Sequence, residues 1–181
     1  MLKTYSGSDT LLSKTSALGN GSDIMQSRMK KHQLSQEEIE SLLLKCQTGT
    51  LATINQDGTP YCVPVHYVLF DNAIYVHGLP AGQKLDNLKA NSNVCLNVYE
   101  LQGFLLDPDE KPCDTNTAYH SVVIQGKAEL LSDIEEKKTI LTAIIRKYTP
   151  HLAEKEISLN MLNGTAVVKV SIIKQTGKYY S

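Results

Sequence analysis

The chain has 181 residues, with 18 Lys and Arg against 19 Asp and Glu and a net charge of −1. That length suits one domain, or one domain with a tail, and still buries a core; the near-neutral charge leaves no footprint for nucleic acid, since the densest basic run, Arg28 to Lys31, is short. No apolar stretch reaches the roughly 18 residues that span a bilayer, and Met1 to Gly21 has no continuous signal-peptide core, so no membrane partner is expected and the chain reads as cytoplasmic.

Residues 1–27, rich in Ser and Gly, read as a flexible leader before a domain over 28–181. Ser35-Gln-Glu-Glu38 is a capping box. Behind it Ile39, Leu42, Leu43 and Cys46 share one helical face, suited to plugging one end of a barrel. Gly49 to Ile54 is a β-branched, apolar run followed by Asp57-Gly58, a hairpin signal. Tyr61 to Phe70 makes a second strand, with Pro60 and Pro64 demanding an edge or an irregularity. Asp71-Asn72 turns the chain into a third, Ala73 to Val76.

The period then changes. Leu85 and Leu88 mark one face of a short helix over Gln83–Ala90, preceded by His77-Gly78 and by Gly82. Amides at a helix start lack intrahelical partners and lie at the positive end of the dipole, so an anion gains both hydrogen bonds and charge there. Lys84, in that first turn, adds a mobile cation, and phosphate is the natural guest. On these residues alone, a solvated lysine beside a flexible loop is the favoured reading, since a single Gly-x-Lys is a weak motif.

The segment Gln102 to Thr117, polar and broken by Pro108 and Pro112, is expected as a long loop or lid. A second capping box, Ser132 to Glu135, opens a helix carrying Ile140, Leu141, Ile144 and Tyr148, which Pro150 stops. Asn163-Gly164 is expected to turn into a last strand, Thr165 to Ile173. Cys46, Cys62, Cys95 and Cys113 contain no C-x-x-C pair, which argues for reduced thiols and no metal. Cys62 and Cys95 fall in predicted strands as small core residues. A competing reading has the sheet gather Cys62, His66, His77, Cys95 and His120 around a metal.

The strings GTLATINQDGTPYCVPVHYVLFDNAIYVHGLPAGQKLDNLKANSNVCLNVYE, AYHSVVIQGKAELL, EEKKTILTAIIRKYTPH and AVVKVSIIKQTGK together resemble the pyridoxamine phosphate oxidase-related superfamily of FMN-binding split barrels. Within it, HG-x-x-x-GxK and Y-x-SV-x-x-G are most similar to the nitroimidazole-resistance reductases. The resemblance implies a mainly β fold with flanking helices, a split barrel of about six antiparallel strands, and a homodimer with flavin at its interface. It implies Lys84 as the main cation on the flavin phosphate, helped by Gln83 and by a loop closing at Gly82. Val63, Pro64, Val65, His66, Tyr67 and Val68 would lie along the ring and ribityl chain, and Val76, His77 and Gly78 would complete that wall. Ser121 would face the pyrimidine edge from the partner subunit. His120 stands where many relatives have arginine, and KQTGKYYS lacks the oxidases' substrate-binding arginines, so pyridoxamine phosphate oxidation is not expected.

The expected function is that of a flavoprotein oxidoreductase, with FMN as cofactor and FAD possible, passing electrons from a donor such as NAD(P)H to a small nitroaromatic-type acceptor. His77, the ionisable group beside the phosphate loop, is the candidate catalytic residue; a histidine merely bonding ribityl or backbone is the plainer alternative. Two other classes compete: a flavin-storing or flavin-sensing module without turnover, and a haem-binding barrel using His66, His77 or His120.

Overall fold

Alternating apolar residues build a sheet that closes on itself. The computed structural model describes residues 30–109 and 111–181; the expected leader lies outside them. Its strands are β1 (Thr48–Ile54), β2 (Pro60–Phe70), β3 (Ala73–Gly78), β4 (Asn93–Leu105), β5 (Asn116–Leu130) and β6 (Ala166–Tyr180). All pair antiparallel, in the closed order β1-β2-β3-β6-β5-β4. Helices α1 (Gln36–Lys45), α2 (Gln83–Ala90), α3 (Ile134–Tyr148) and α4 (Leu159–Gly164) flank this barrel. The fold is the expected split barrel, and no helix among the described residues is long and apolar enough to cross a membrane.

Pro60 and Pro64 are accommodated as their missing N–H groups require. Residues Pro60–His66 of β2 pair with β1, whereas β3 takes up only Tyr67–Phe70, so both prolines lie where β2 has one strand neighbour. Asp71 and Asn72 both adopt positive φ, 46° and 57°, the geometry of a two-residue hairpin turn.

The barrel interior holds Leu51, Tyr67, Ile74, Val76, Leu96, Val98, Val122, Ile124, Val168 and Val170, with α1 closing one end through Ile39, Leu42 and Leu43. Burying each such side chain contributes about 2 kcal/mol. α1 sits close because Gly177 has no side chain: a Cβ there would meet Ile39 Cγ1 at 2.6 Å. Its capping box is complete, Glu38 N donating to Ser35 Oγ and Ser35 N to Glu38 Oε2. A second core lies outside the barrel, where Ile140, Leu141 and Ile144 of α3 cover Val68, Tyr75 and Val167.

Four expectations need correction. The segment read as a loop from Gln102 is strand as far as Leu105, paired with Asn116–Ala118; polar outward residues and a register shift between Leu101 and Gly103 hide the β pattern. α3 is capped by Asp133, not Ser132: its carboxylate accepts from Glu136 N at 2.7 Å, a stronger bond at the positive helix end than a hydroxyl gives. Asn163-Gly164 ends α4 instead of making a free turn, and β6 runs on to Tyr180 because β5 pairs with it throughout. Cys62 is exposed and Cys95 only half-buried, since both stand beside the outward-facing Ala52.

Candidate functional site

The handover from β3 to α2 is where unsatisfied donors and cations collect. Gly82 is the N-cap of α2 at φ 125°, a conformation that side chains resist, and no side chain caps the helix. The first helical amides to bond back, Leu85 N and Asp86 N, both go to Gly82 O, at 2.9 and 3.1 Å. The amides of Gln83 and Lys84 lie ahead of them, at the positive end of the dipole. Lys84 Nζ stands about one methyl group's width from Gly78, 3.5 Å from where a Cβ would be. A cleft of about 300 Å³, lined by Tyr61, Val63, Pro64, Leu79, Gly82 and Lys84 among others, opens in front.

Burial holds the Lys84 ammonium below the usual lysine range. Burial also pulls His77 below an ordinary histidine, with His66 and then Lys84 adding repulsion. His77 is therefore neutral near pH 7, and its Nδ1 is buried without a hydrogen-bond partner among the described residues. His66 of β2 and Lys84 of α2 thus both lie near enough to His77 of β3 to repel its charge, a balance that an incoming anion would relieve.

A buried polar network positions α2 there. Asn87, almost fully buried, donates through Nδ2 to Thr53 Oγ1 at 3.0 Å and Asn55 Oδ1 at 2.8 Å. Gln83 Nε2 donates to Asn55 Oδ1 and Asn87 Oδ1, both at 3.1 Å. Sequence reasoning missed Asn55 and Asn87; the available signal was Asn87 one turn beyond Gln83, beside the buried Leu88.

Of the wall residues, Val65 and Val76 point into the barrel core and Val68 lies under α3, so they can offer a ligand backbone only. Tyr67 is also interior: its hydroxyl donates to Leu43 O at 2.9 Å and its ring lies 4.0 Å below Lys147 Nζ. Burial brings Lys147 down to about 8. His66 is exposed and stacks on Tyr148 at 4.6 Å, while His120 meets Tyr179 edge-on at 6.1 Å. Among the described residues, no three His, Cys, Asp or Glu are grouped to hold a metal, so the five-residue cluster of Cys62, His66, His77, Cys95 and His120 is not assembled.

Ser121 is the outlier. It lies on β5 between Tyr99 of β4 and Lys178 of β6, is 5% exposed, and its hydroxyl has no hydrogen-bond partner among the described residues. It lines a different cavity, of about 430 Å³, which shares no residue with the Lys84 cleft. One chain does not bring Ser121 and Lys84 together.

The family model described as pyridoxamine 5'-phosphate oxidase matches residues 35–179. Among solved structures, the chain is similar to a candidate 5-nitroimidazole antibiotic resistance protein from Bacteroides thetaiotaomicron, at 28% identity over 81% of this chain and 86% of that one, with a TM-score of 0.68. It is similar to an FAD-binding protein from Mesorhizobium loti at 25% identity, over 82% of this chain and 97% of that one, TM-score 0.60. An FAD- and haem-binding protein from Mycobacterium smegmatis shares the fold at 19% identity, over 83% and 74% of the two chains, TM-score 0.75. No curated protein matches the chain.

Proposed function

The chain belongs to the pyridoxamine 5'-phosphate oxidase family, and from that premise we propose that it binds a flavin, FMN first and FAD as the alternative, in an oxidoreductase acting on small nitroaromatic-type acceptors. One observation carries the reading: an uncapped helix start and a half-buried lysine with no ion pair among the described residues share one cleft, and a buried histidine nitrogen, unpartnered among those residues, belongs to a ring within electrostatic reach of that lysine. These groups fit a flavin phosphate. The Gln83 and Lys84 amides and the Lys84 ammonium would hold it, with Gly82 allowing close approach.

Bound flavin supplies the electron and hydride chemistry, and the protein supplies position, charge and access. His77, kept neutral beside Lys84, offers a hydrogen-bonding ring nitrogen without a second fixed charge, which suits a ligand-contacting residue on the wall. Pro64, His66, Val63 and Gly78 would flank the ring and ribityl chain. Ser121 is read as meeting the pyrimidine edge from a second subunit, which its separate cavity supports, so the functional unit is a homodimer. The two neighbours named for nitroimidazole resistance and FAD binding support flavin redox chemistry over other uses of the barrel.

The test begins with mass identification of the flavin released by heat. Anaerobic NADH or NADPH is then expected to bleach the holoprotein's flavin absorbance, and a nitroaromatic to restore it. Flavin that neither donor reduces would leave the storage or sensing reading in its place. Lys84→Ala removes a charge-assisted phosphate contact worth about 1.5–3 kcal/mol, so FMN affinity should fall roughly 10- to 150-fold while the circular dichroism spectrum is retained. Unchanged affinity refutes the phosphate assignment.

A further inference from the structure

The Ser121 cavity is built from groups with unequal hydrogen-bonding capacity. Leu34 and Ile39 form apolar walls, and Gln175 Nε2 donates to Gln36 Oε1 at 2.8 Å. The Ser121 hydroxyl, nine-tenths buried, has no partner. Lys178, directly across the ladder from Ser121, has no carboxylate within ion-pair distance among the described residues; its ammonium stands 5.6 Å from the centre of the Tyr119 ring. Tyr119 stacks on Tyr99, 5.6 Å between centroids and 27° from parallel, and Tyr99 is the cross-strand neighbour of Ser121 on the other side. A hydroxyl, a cation and a flat aromatic wall therefore share one outward face of β4, β5 and β6.

We propose that this cavity receives the oxygen-bearing edge of a planar ring, and that Lys178, with Ser121, is the group that recognises charge on that edge. A buried hydroxyl without a partner costs free energy that an acceptor oxygen recovers. The unneutralised ammonium favours an edge carrying negative charge, and the tyrosine pair, outside the cavity but on the same face of the sheet, stands where the rest of a flat ring would extend. At about 430 Å³ the cavity matches a small-molecule site. The inference rests on the flavin reading above: the edge is the pyrimidine edge of a flavin held by the other subunit. That edge gains negative charge when the ring is reduced, so Lys178 binds reduced flavin more tightly than oxidised flavin and is a positioning and tuning residue.

The experiment measures FMN affinity by fluorescence quenching and the midpoint potential by dye-coupled reduction, on wild type, Lys178→Met, Lys178→Arg and Ser121→Ala. Lys178 is exposed, so its replacement spares the core. Lys178→Met is expected to lose about tenfold more affinity for reduced than for oxidised FMN, which lowers a two-electron potential by about 30 mV. Lys178→Arg should restore most of it, and Ser121→Ala should shift the potential in the same direction by less. Lys178→Met that holds FMN at the wild-type potential overturns the inference and leaves the flavin reading standing. Folded wild-type protein that binds no FMN overturns both.

Discussion

At the residue scale the informative pair is Lys84 and His77. Lys84 gains from an anion whatever the pH near neutrality, whereas His77 is the group whose charge state the site has altered. Its folded-state pKa lies below 6.5 because burial, then His66, then Lys84 oppose protonation. The unfolded chain therefore takes up the proton first. The resulting stabilisation is present above about pH 6.5 and is lost as pH falls below that value. In flavin-free protein the melting temperature should decline between roughly pH 7 and pH 5.5, and decline less in His77→Gln, which cannot titrate. Scanning calorimetry at several pH values checks this, and parallel declines would show that His77 is not the titrating group. These two residues were legible in the sequence, because a helix start and a histidine at a strand end are local features. The separation of Ser121 from them came only through the family resemblance, which puts it on the partner subunit; local pattern does not give it, because it depends on where β5 falls in the barrel order.

Single elements show a similar division between local and non-local signals. α2 was read to its observed bounds, Gln83–Ala90, since the Leu85 and Leu88 spacing and the preceding glycine are local. The polar network that seats it was invisible, because Thr53 and Asn55 reach Asn87 only after β1 is in the barrel. Asn87→Ala deletes three hydrogen bonds, one buried and two part-buried, at a cost of about 1–3 kcal/mol. At about 2–4 °C per kcal/mol for a domain of this size, the melting temperature should drop by roughly 2–12 °C. Calorimetry gives that value, FMN titration should show weaker binding as α2 loses its seat, and wild-type values for both would mean that the network does not position the helix. β4 and β6 were read short for a different reason: beyond Leu101 and Ile173 their outward residues are exposed, so the apolar alternation fades while the ladder hydrogen bonds continue.

Taken as a whole, the molecule presents its candidate site in two parts, at opposite sets of strands. The β4–β5 arm also exposes Leu101, Phe104 and Leu106, at 52%, 66% and 75%. Side chains of this kind on one projecting arm favour burial against another surface. If the proposed homodimer forms through that arm, Phe104→Asp combined with Leu106→Asp should shift the protein toward monomer in analytical ultracentrifugation and lower its flavin content. A double variant that remains wild-type in mass and in flavin occupancy would place the association elsewhere.

The stopper of the barrel is made early and its seat late. Leu34 N donates to Gly177 O, and Ile39 rests where Gly177 lacks a side chain. During synthesis the barrel residues that meet Leu42 and Leu43 come out before β6, but the place for Ile39 is completed only by that last strand. The plug is therefore among the first pieces of the domain to be synthesised and among the last to be fully seated.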